Sequence, residues 1–157
     1  MDPQLATAVT ALREVILAGE RYRRAASTYL CLDLSGSQAV SYLYSRGPMG
    51  QSELGSLLGF TTASITALTD RLERDGIARR RPHPTDRRRT VVELTEHGEQ
   101  AARSTGQWLA GSFDHIDRNA LPAVIEALSR IAEDLSRQAV DLTGHPPASS
   151  SGSDKDL

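Results

Sequence analysis

The stretch that decides the fold runs from residue 49 to residue 95 and reads MGQSELGSLLGFTTASITALTDRLERDGIARRRPHPTDRRRTVVELT. Its first part, residues 49–60, has the spacing of a short amphipathic helix that ends at Gly59. Residues 61–76 have the spacing of a second helix, and Gly76 stands where helices commonly end in a left-handed residue. Two short helices joined by a tight turn predict a helix-turn-helix.

The second of these helices has an apolar side and a side with small, hydroxyl-bearing residues. Ile65, Leu68 and Leu72 point one way when successive residues are turned by about 100°. Threonine lowers helix propensity relative to alanine, so a purely structural helix gains nothing from it. The alternative is an ordinary solvated face, but small hydroxylated turns suit a helix lying close to the floor of a DNA groove. The predicted DNA contacts on this helix are Thr61, Thr62, Ser64, Thr66 and Arg71.

A hairpin with a basic loop is predicted after the second helix. Residues 77–81 are extended, residues 82–86 contain two prolines that forbid regular structure, and residues 87–94 alternate like a strand. The pattern is typical of the two-stranded β wing of a winged helix. Residues 71–89 hold eight arginines against three acidic residues, although the net charge of the whole chain is −2. Charge localised in this way indicates a phosphate-binding surface, with Arg87, Arg88 and Arg89 as its predicted contacts in the loop.

At this point the sequence resembles the MarR family of transcription regulators. The specific match covers the Asp-x-Arg wing signature of the family and reads Pro84-x-Asp86-Arg87-Arg88-x-x-x-Val92-x-Leu94-Thr95-x-x-Gly98. Less specific matches lie in the helix-turn-helix: Leu54-Gly55-x-x-Leu58-Gly59, Ser64-Ile65-Thr66 and Asp70-Arg71-Leu72-Glu73-Arg74-x-Gly76. The resemblance extends more loosely over residues 5–142.

The resemblance implies a homodimer that binds double-stranded DNA at a pseudo-palindromic site, as a repressor released by a small, often aromatic or phenolic, ligand. It implies that Asp86 pairs with arginines to fix the wing and that Arg88 enters the minor groove. Family members often carry arginine near the start and middle of the recognition helix, where this chain has Thr62 and Ala67. We therefore expect phosphate and thymine-methyl contacts from this helix rather than guanine readout.

The resemblance also places a ligand pocket between the winged helix and the dimer layer. Its candidate lining residues are Tyr22, Tyr29, Tyr42 and Trp108. Each of these aromatic side chains is equally compatible with a place in the core.

Long amphipathic segments flank the winged helix. Apolar residues keep helical period from Leu5 to Tyr29 and again from Leu121 to Leu142, and these stripes exceed what a small domain can cover. Burial between two copies of the chain removes them from water at roughly 25 cal/mol per Å². The expected fold is mainly α, with a winged helix-turn-helix and a helical dimerisation layer. The expected organisation is a dimerisation region (1–33 and 95–143), a DNA-binding domain (34–94) and a disordered tail (144–157).

Two helix starts carry capping signals. Ser35 and Gln38 have the spacing of a capping box at the start of a helix that Gly47 and Pro48 end. Thr95 is the predicted N-cap of a helix that extends to about residue 118.

The remaining composition excludes several classes of protein. A single cysteine, Cys31, forms no internal disulfide, and its place at a helix exit favours a small packed residue over an oxidant sensor. Scattered histidines predict no metal site, and the absence of catalytic motifs predicts neither an enzyme nor a cofactor. Without a signal sequence or a membrane-spanning apolar run, we expect a cytoplasmic protein. The alternative function is a winged helix used for protein–protein contact without DNA, which gives no reason for the arginine run in the wing.

Overall fold

Six helices and three short strands make up the computed structural model, which describes residues 2–83, 85–86 and 89–144. In chain order the elements are α1 (Pro3–Tyr29), α2 (Leu34–Arg46), β1 (Met49–Gly50), α3 (Gln51–Leu58), α4 (Thr62–Arg74), β2 (Ala78–Pro82), β3 (Thr90–Leu94), α5 (Glu96–Gly111) and α6 (Leu121–Gly144). They divide into one unit over Met1–Gly111 and a second over Ser112–Leu157. The predicted fold class, a mainly helical winged helix-turn-helix, is confirmed.

The helix-turn-helix is formed by α3 and α4. Gly59 ends α3 in the left-handed region with φ of 68°, where a side chain would be strained. A methyl group on Gly55 would lie only 3.3 Å from Cγ2 of Ile65, so the glycine lets the two helices approach closely. The predicted start of the first helix was two residues early, because Met49 and Gly50 form strand β1 instead.

The sheet has the strand order β1-β3-β2, and all its strands are antiparallel. The β2–β3 pair is the predicted hairpin, with Arg80 opposite Val92. On the other edge of β3, Met49 of β1 also lies opposite Val92. A strand of two residues has no alternation to detect, which is why the sequence predicted only the two-stranded wing.

The buried core belongs to the winged helix. Its largest fully buried side chains are Leu54, Ile65, Leu72, Val40 and Val92, contributed by α2, α3, α4 and β3. Burial of each such side chain stabilises the fold by about 1.5–3 kcal/mol. The core therefore holds α4 against the sheet and leaves the opposite side of α4 exposed.

The capping predictions had different outcomes. Helix α2 starts one residue before Ser35, and its N-cap is Asp33, whose carboxylate accepts a hydrogen bond from Gly36 N at 2.7 Å. Aspartate caps as well as serine, and the predicted cap at Ser35 is wrong because Asp33 takes this position. Thr95 caps α5 as predicted, accepting from Gly98 N at 3.1 Å. That helix ends at Gly111, so its predicted end near residue 118 is wrong.

Helix α1 ends in a left-handed residue that is not glycine. Cys31 has φ of 53°, and the N–H of Leu32 donates to Ser27 O across it at 3.0 Å. This is the hydrogen bond of a Schellman motif, a helix ending that glycine normally supplies. Cys31 is exposed rather than packed, which corrects the packed position expected from the sequence.

Helix α6 has no buried residue between Leu121 and Leu142. Its apolar side chains include Ile125, exposed to 60%, and Val140, exposed to 70%. The predicted disordered tail lies outside the described residues, apart from Gly144 at the end of α6.

Candidate nucleic-acid interface

The start of α4 is an exposed cluster of hydroxyl groups. Thr61 is the N-cap, and its Oγ1 accepts from Ser64 N at 3.2 Å and lies 2.9 Å from Ser64 Oγ. Thr62 follows at the first helical position and is also exposed. The positive end of the helix dipole lies here, so this turn favours an anion such as a DNA phosphate. The structure thus brings three of the predicted contact residues together.

Thr66 lies one turn further along α4 and is half-buried. Its hydroxyl donates to Thr62 O at 2.8 Å and accepts a hydrogen bond from Nε2 of Gln51 at 2.8 Å. Thr69, by contrast, is fully buried and bonds Ile65 O. Sequence reasoning identified Thr66 and missed Gln51, because no spacing rule places the first residue of one helix beside the fifth of the next.

Arg71 connects α4 to the start of α2. Its Nη2 lies 2.6 Å from Oδ2 of Asp33, the residue that caps α2, and both side chains remain more than 40% exposed. An exposed pair of this kind contributes little stability, about 0–1 kcal/mol. Its effect is to fix the direction of the Arg71 side chain on one flank of α4.

Arg80 joins the hairpin to both helices of the helix-turn-helix. Its guanidinium contacts Asp70 at 2.8 Å and also Glu73, and Nε and Nη2 donate to Oε1 of Gln51 at 3.2 and 3.1 Å. The backbone N–H of Arg80 donates to Glu73 as well, at 2.7 Å. With two carboxylates around it, this arginine positions neighbouring groups and is not free to bind a phosphate.

Glu93 holds the other two arginines of β2. It lies opposite Arg79 in the register, and its carboxylate accepts from Nε of Arg79 at 2.8 Å and from Nε of Arg81. Burial alone raises the pKa of Glu93, but the hydrogen bonds and charges of Arg79 and Arg81 outweigh it and lower the pKa overall. The sequence signal for these two ion pairs is a glutamate in a strand that pairs with a run of arginines.

The tip of the wing is only partly described. Arg87 and Arg88, two predicted contacts, lie outside the described residues, as does Pro84. Arg89 is exposed, its N–H donates to Asp86 O at 3.0 Å, and its carbonyl accepts from His83 N at 2.8 Å. These bonds continue the ladder of the hairpin toward its tip.

The described arginines of residues 71–89 fall into two groups. Arg71, Arg79, Arg80 and Arg81 each have an ion-pair partner. Within the described part of the chain, Arg74 and Arg89 have none. The basic run is therefore partly an internal scaffold, a division that charge counting alone does not reveal.

Three of the four predicted pocket residues meet between α1 and α5. Tyr22, Tyr29 and Trp108 line one small cleft, and the rings of Tyr29 and Trp108 have centroids 5.8 Å apart. The Tyr22 hydroxyl donates to Thr105 O at 2.6 Å, and burial raises the pKa of Tyr22 despite that hydrogen bond. Tyr42 lies elsewhere, packed against the winged-helix core with the guanidinium of Arg46 5.2 Å from its ring centroid.

A wider cleft of about 350 Å³ adjoins the first, sharing Tyr22, Ala26 and Thr105 with it. It extends to Tyr44 and Ser41 of α2. Together the two clefts border helices from both the N-terminal segment and the winged helix. Their walls are aromatic, aliphatic and hydroxylated, which suits a small amphipathic molecule.

The described residues contain no group of three or more histidine, cysteine or acidic side chains arranged to hold a metal ion. None of their helices combines the length and the apolar character needed to cross a bilayer.

Comparison with known sequences identifies HTH-type transcriptional regulators as relatives. The MarR family profile matches residues 38–90. The chain is 38% identical over 86 residues to the uncharacterised HTH-type transcriptional regulator YcgE of Bacillus subtilis, covering 55% of this chain and 56% of that protein. It is 30% identical over 115 residues to YfiV, another such regulator of B. subtilis, covering 69% and 72%. It is 36% identical over 87 residues to the B. subtilis transcriptional repressor YetL, covering 55% and 47%. The chain thus spans about half the length of YcgE and YetL.

Solved structures show the same fold. A MarR family protein from Bacillus stearothermophilus superimposes with a TM-score of 0.65 at 19% identity, covering 87% of this chain and 99% of that one. A mutant of MepR from S. aureus, bound to an oligodeoxyribonucleotide, superimposes with a TM-score of 0.56 at 16% identity, covering 82% and 97%.

Proposed function

The chain belongs to the MarR family, and from this premise we propose that it is a transcription regulator that binds double-stranded DNA as a homodimer. The proposal places α4 in the major groove and the wing against the neighbouring minor groove. It includes repression as the outcome and a cytoplasmic location. The observation that carries it is the exposed, hydroxyl-rich start of α4 held beside an arginine-bearing hairpin in a single unit.

The contacts divide by their chemistry. Thr61, Thr62 and Ser64 surround the positive end of α4 and suit phosphate oxygens. Thr66 lies further into the exposed flank of α4 and suits a base edge. Arg71 is held at the flank by Asp33, from where it reaches a phosphate beside the groove.

The wing supplies the second group of contacts. Arg89 is exposed at the end of the loop that joins β2 to β3, and Arg87 and Arg88 belong to the same loop. The family resemblance gives Arg88 the minor-groove position and Asp86 the task of bracing the loop. An arginine in the minor groove reads narrowness and negative potential more than base identity.

Dimerisation is supported by apolar surface that the single chain leaves uncovered. Helix α6 is 24 residues long without a buried side chain between Leu121 and Leu142. Helix α1 exposes Leu5, Val15 and Leu17 to 53%, 59% and 47%. Apolar helix faces of this extent normally mark an interface, and a two-fold partner removes such faces from water. A dimer also presents two copies of α4, which fits a pseudo-palindromic operator.

Repression and ligand release are the remaining parts of the proposal. Repression is supported by the likeness to YetL, which is named as a transcriptional repressor. Release by a small aromatic or phenolic molecule is supported by the cleft of Tyr22, Tyr29 and Trp108, whose rings offer stacking partners. Tyr42 is left out of this pocket, because it packs against the winged-helix core.

The test of DNA binding uses Arg88→Ala, with Arg13→Ala on the exposed side of α1 as the matched control. Operator duplexes are first selected from a randomised library with the wild-type chain. Affinity is then measured over a range of salt concentrations. We expect Arg88→Ala to weaken all sites, and the slope of log affinity against log salt to fall by about one unit per wing. Arg13→Ala should behave like wild type. Unchanged affinity and slope in Arg88→Ala would remove Arg88 from the contacts, and a wild-type chain that selects no duplex would favour a protein-binding winged helix.

A further inference from the structure

The amide group of Gln51 has only one possible orientation. Its oxygen faces the Arg80 guanidinium and accepts from Nε at 3.2 Å and from Nη2 at 3.1 Å. An amide nitrogen cannot replace it there, because it would direct its own hydrogens at a cationic donor. The nitrogen therefore faces Thr66, to which it donates at 2.8 Å. One of its two N–H groups is used in this bond, and the other has no partner among the described residues.

The hydroxyl of Thr66 is fixed in the same way. Its hydrogen is committed to Thr62 O at 2.8 Å, and one of its two lone pairs accepts from Gln51. A hydroxyl has one donor and two acceptor positions, so only one lone pair remains. Toward any ligand, Thr66 is an acceptor and Gln51 is a donor.

Gln51 and Thr66 thus present a donor and an acceptor 2.8 Å apart, close enough for one base edge to meet both. Both side chains are half-buried and retain exposed surface beside the outer side of α4. Arg80 is the positioning residue, since it fixes the amide of Gln51 while Asp70 and Glu73 neutralise its own charge.

We propose that Gln51 and Thr66 together read one adenine in each half-site of the operator. Adenine presents an acceptor, N7, beside a donor, the N6 amino group, in the major groove. Guanine presents two acceptors, which Thr66 cannot serve, and cytosine and thymine each present a single polar group. Adenine is therefore the base whose edge complements this pair.

The inference rests on the proposed function, since it assigns one base within the DNA site. It goes further because it adds Gln51 to the interface and names the base that Thr66 meets.

The first experiment selects duplexes from a randomised library with four full-length proteins. These are wild type, Gln51→Met, Thr66→Val and the control Ser56→Ala, whose hydroxyl bonds only Ser52 O in its own helix. We expect one adenine per half-site in the wild-type and control sequences, and a relaxed preference there in both variants. Replacing that A·T pair should weaken wild-type binding by roughly 5- to 150-fold and weaken the variants far less.

The second experiment changes the DNA, and its main result comes from the wild-type protein and does not depend on the variants folding. Wild-type binding is measured on the selected duplex carrying 7-deazaadenine, which lacks N7, or purine, which lacks the amino group. We expect both replacements to weaken binding at the assigned position. Gln51→Met should be insensitive to the first and Thr66→Val to the second.

The outcomes distinguish a failure of adenine recognition from a failure of the proposed DNA binding. Wild-type protein that selects a sequence but tolerates both modified bases at every adenine overturns the inference alone. The same holds if both variants lose affinity equally on all sequences and keep the wild-type preference, because the side chains then contact phosphate. Wild-type protein that selects no sequence at all overturns the proposed function together with the inference.

Discussion

Gly98→Ala should destabilise the protein, although the substitution by itself favours a helix. Gly98 lies in the first turn of α5, where the helix crosses the start of β2. A methyl group on Gly98 would lie 2.0 Å from the carbonyl oxygen of Ile77, a backbone atom that cannot rotate away. Helix α5 would have to move outward by about 1 Å or more to restore an ordinary contact.

The expected size follows from three contributions. Overpacking against backbone costs about 1–3 kcal/mol. The outward movement also stretches the bond from Thr95 N to Ile77 O, now 3.0 Å, whose loss costs about 1 kcal/mol. Alanine returns about 1 kcal/mol through its higher helix propensity. The free energy of unfolding should therefore fall by about 1–3 kcal/mol.

The matched control is Gly106→Ala in the same helix, where an added methyl group has no neighbour within 4 Å. Its free energy of unfolding should rise by up to about 1 kcal/mol. Both variants are compared with wild type by urea unfolding followed by circular dichroism, at one protein concentration because the proposed dimer couples stability to concentration. If Gly98→Ala is as stable as Gly106→Ala, the close approach of α5 to Ile77 is refuted.

Three further predictions concern stability. Ser27→Ala should raise the free energy of unfolding by about 1 kcal/mol, because the Ser27 hydroxyl is buried without a hydrogen-bond partner within the described part of the chain. A lower free energy of unfolding in urea would contradict this. Cys31→Gly should raise it by about 1 kcal/mol, since glycine adopts φ of 53° without strain, and Cys31→Ala, which keeps the strain, is the control. Glu93→Gln should lower stability at neutral pH, and this effect should shrink as the pH falls below the folded-state pKa of Glu93, measured by thermal unfolding against pH. The pKa of Glu93 is lowered in the folded state, so its contribution is present above the unfolded value near 4.5 and disappears as the pH falls through the folded one. A destabilisation that stays the same at every pH would show that the ion pairs of Glu93 with Arg79 and Arg81 are absent.

The sequence by itself determined the elements whose signals are local. Periodicity located α1, α4 and α6, and glycine at the helix ends located the turns at Gly59 and Gly76. These signals suffice because helix formation and helix ending depend on residues within a turn or two of each other. The wing motif and the hydroxylated face of α4 likewise depend on neighbouring residues, and they predicted the family.

Only the tertiary structure decided which polar groups meet across the chain. Strand β1 forms because it pairs with the free edge of β3, and a stretch of two residues is too short to predict that pairing. Arg80 counted among eight similar arginines in the sequence, yet its register on β2 places it between Asp70, Glu73 and Gln51. Tyr42 looked like the other candidate pocket aromatics but packs against the winged-helix core instead. Partners distant in sequence are fixed by register and packing, and a one-residue shift in a strand turns a side chain to the opposite face.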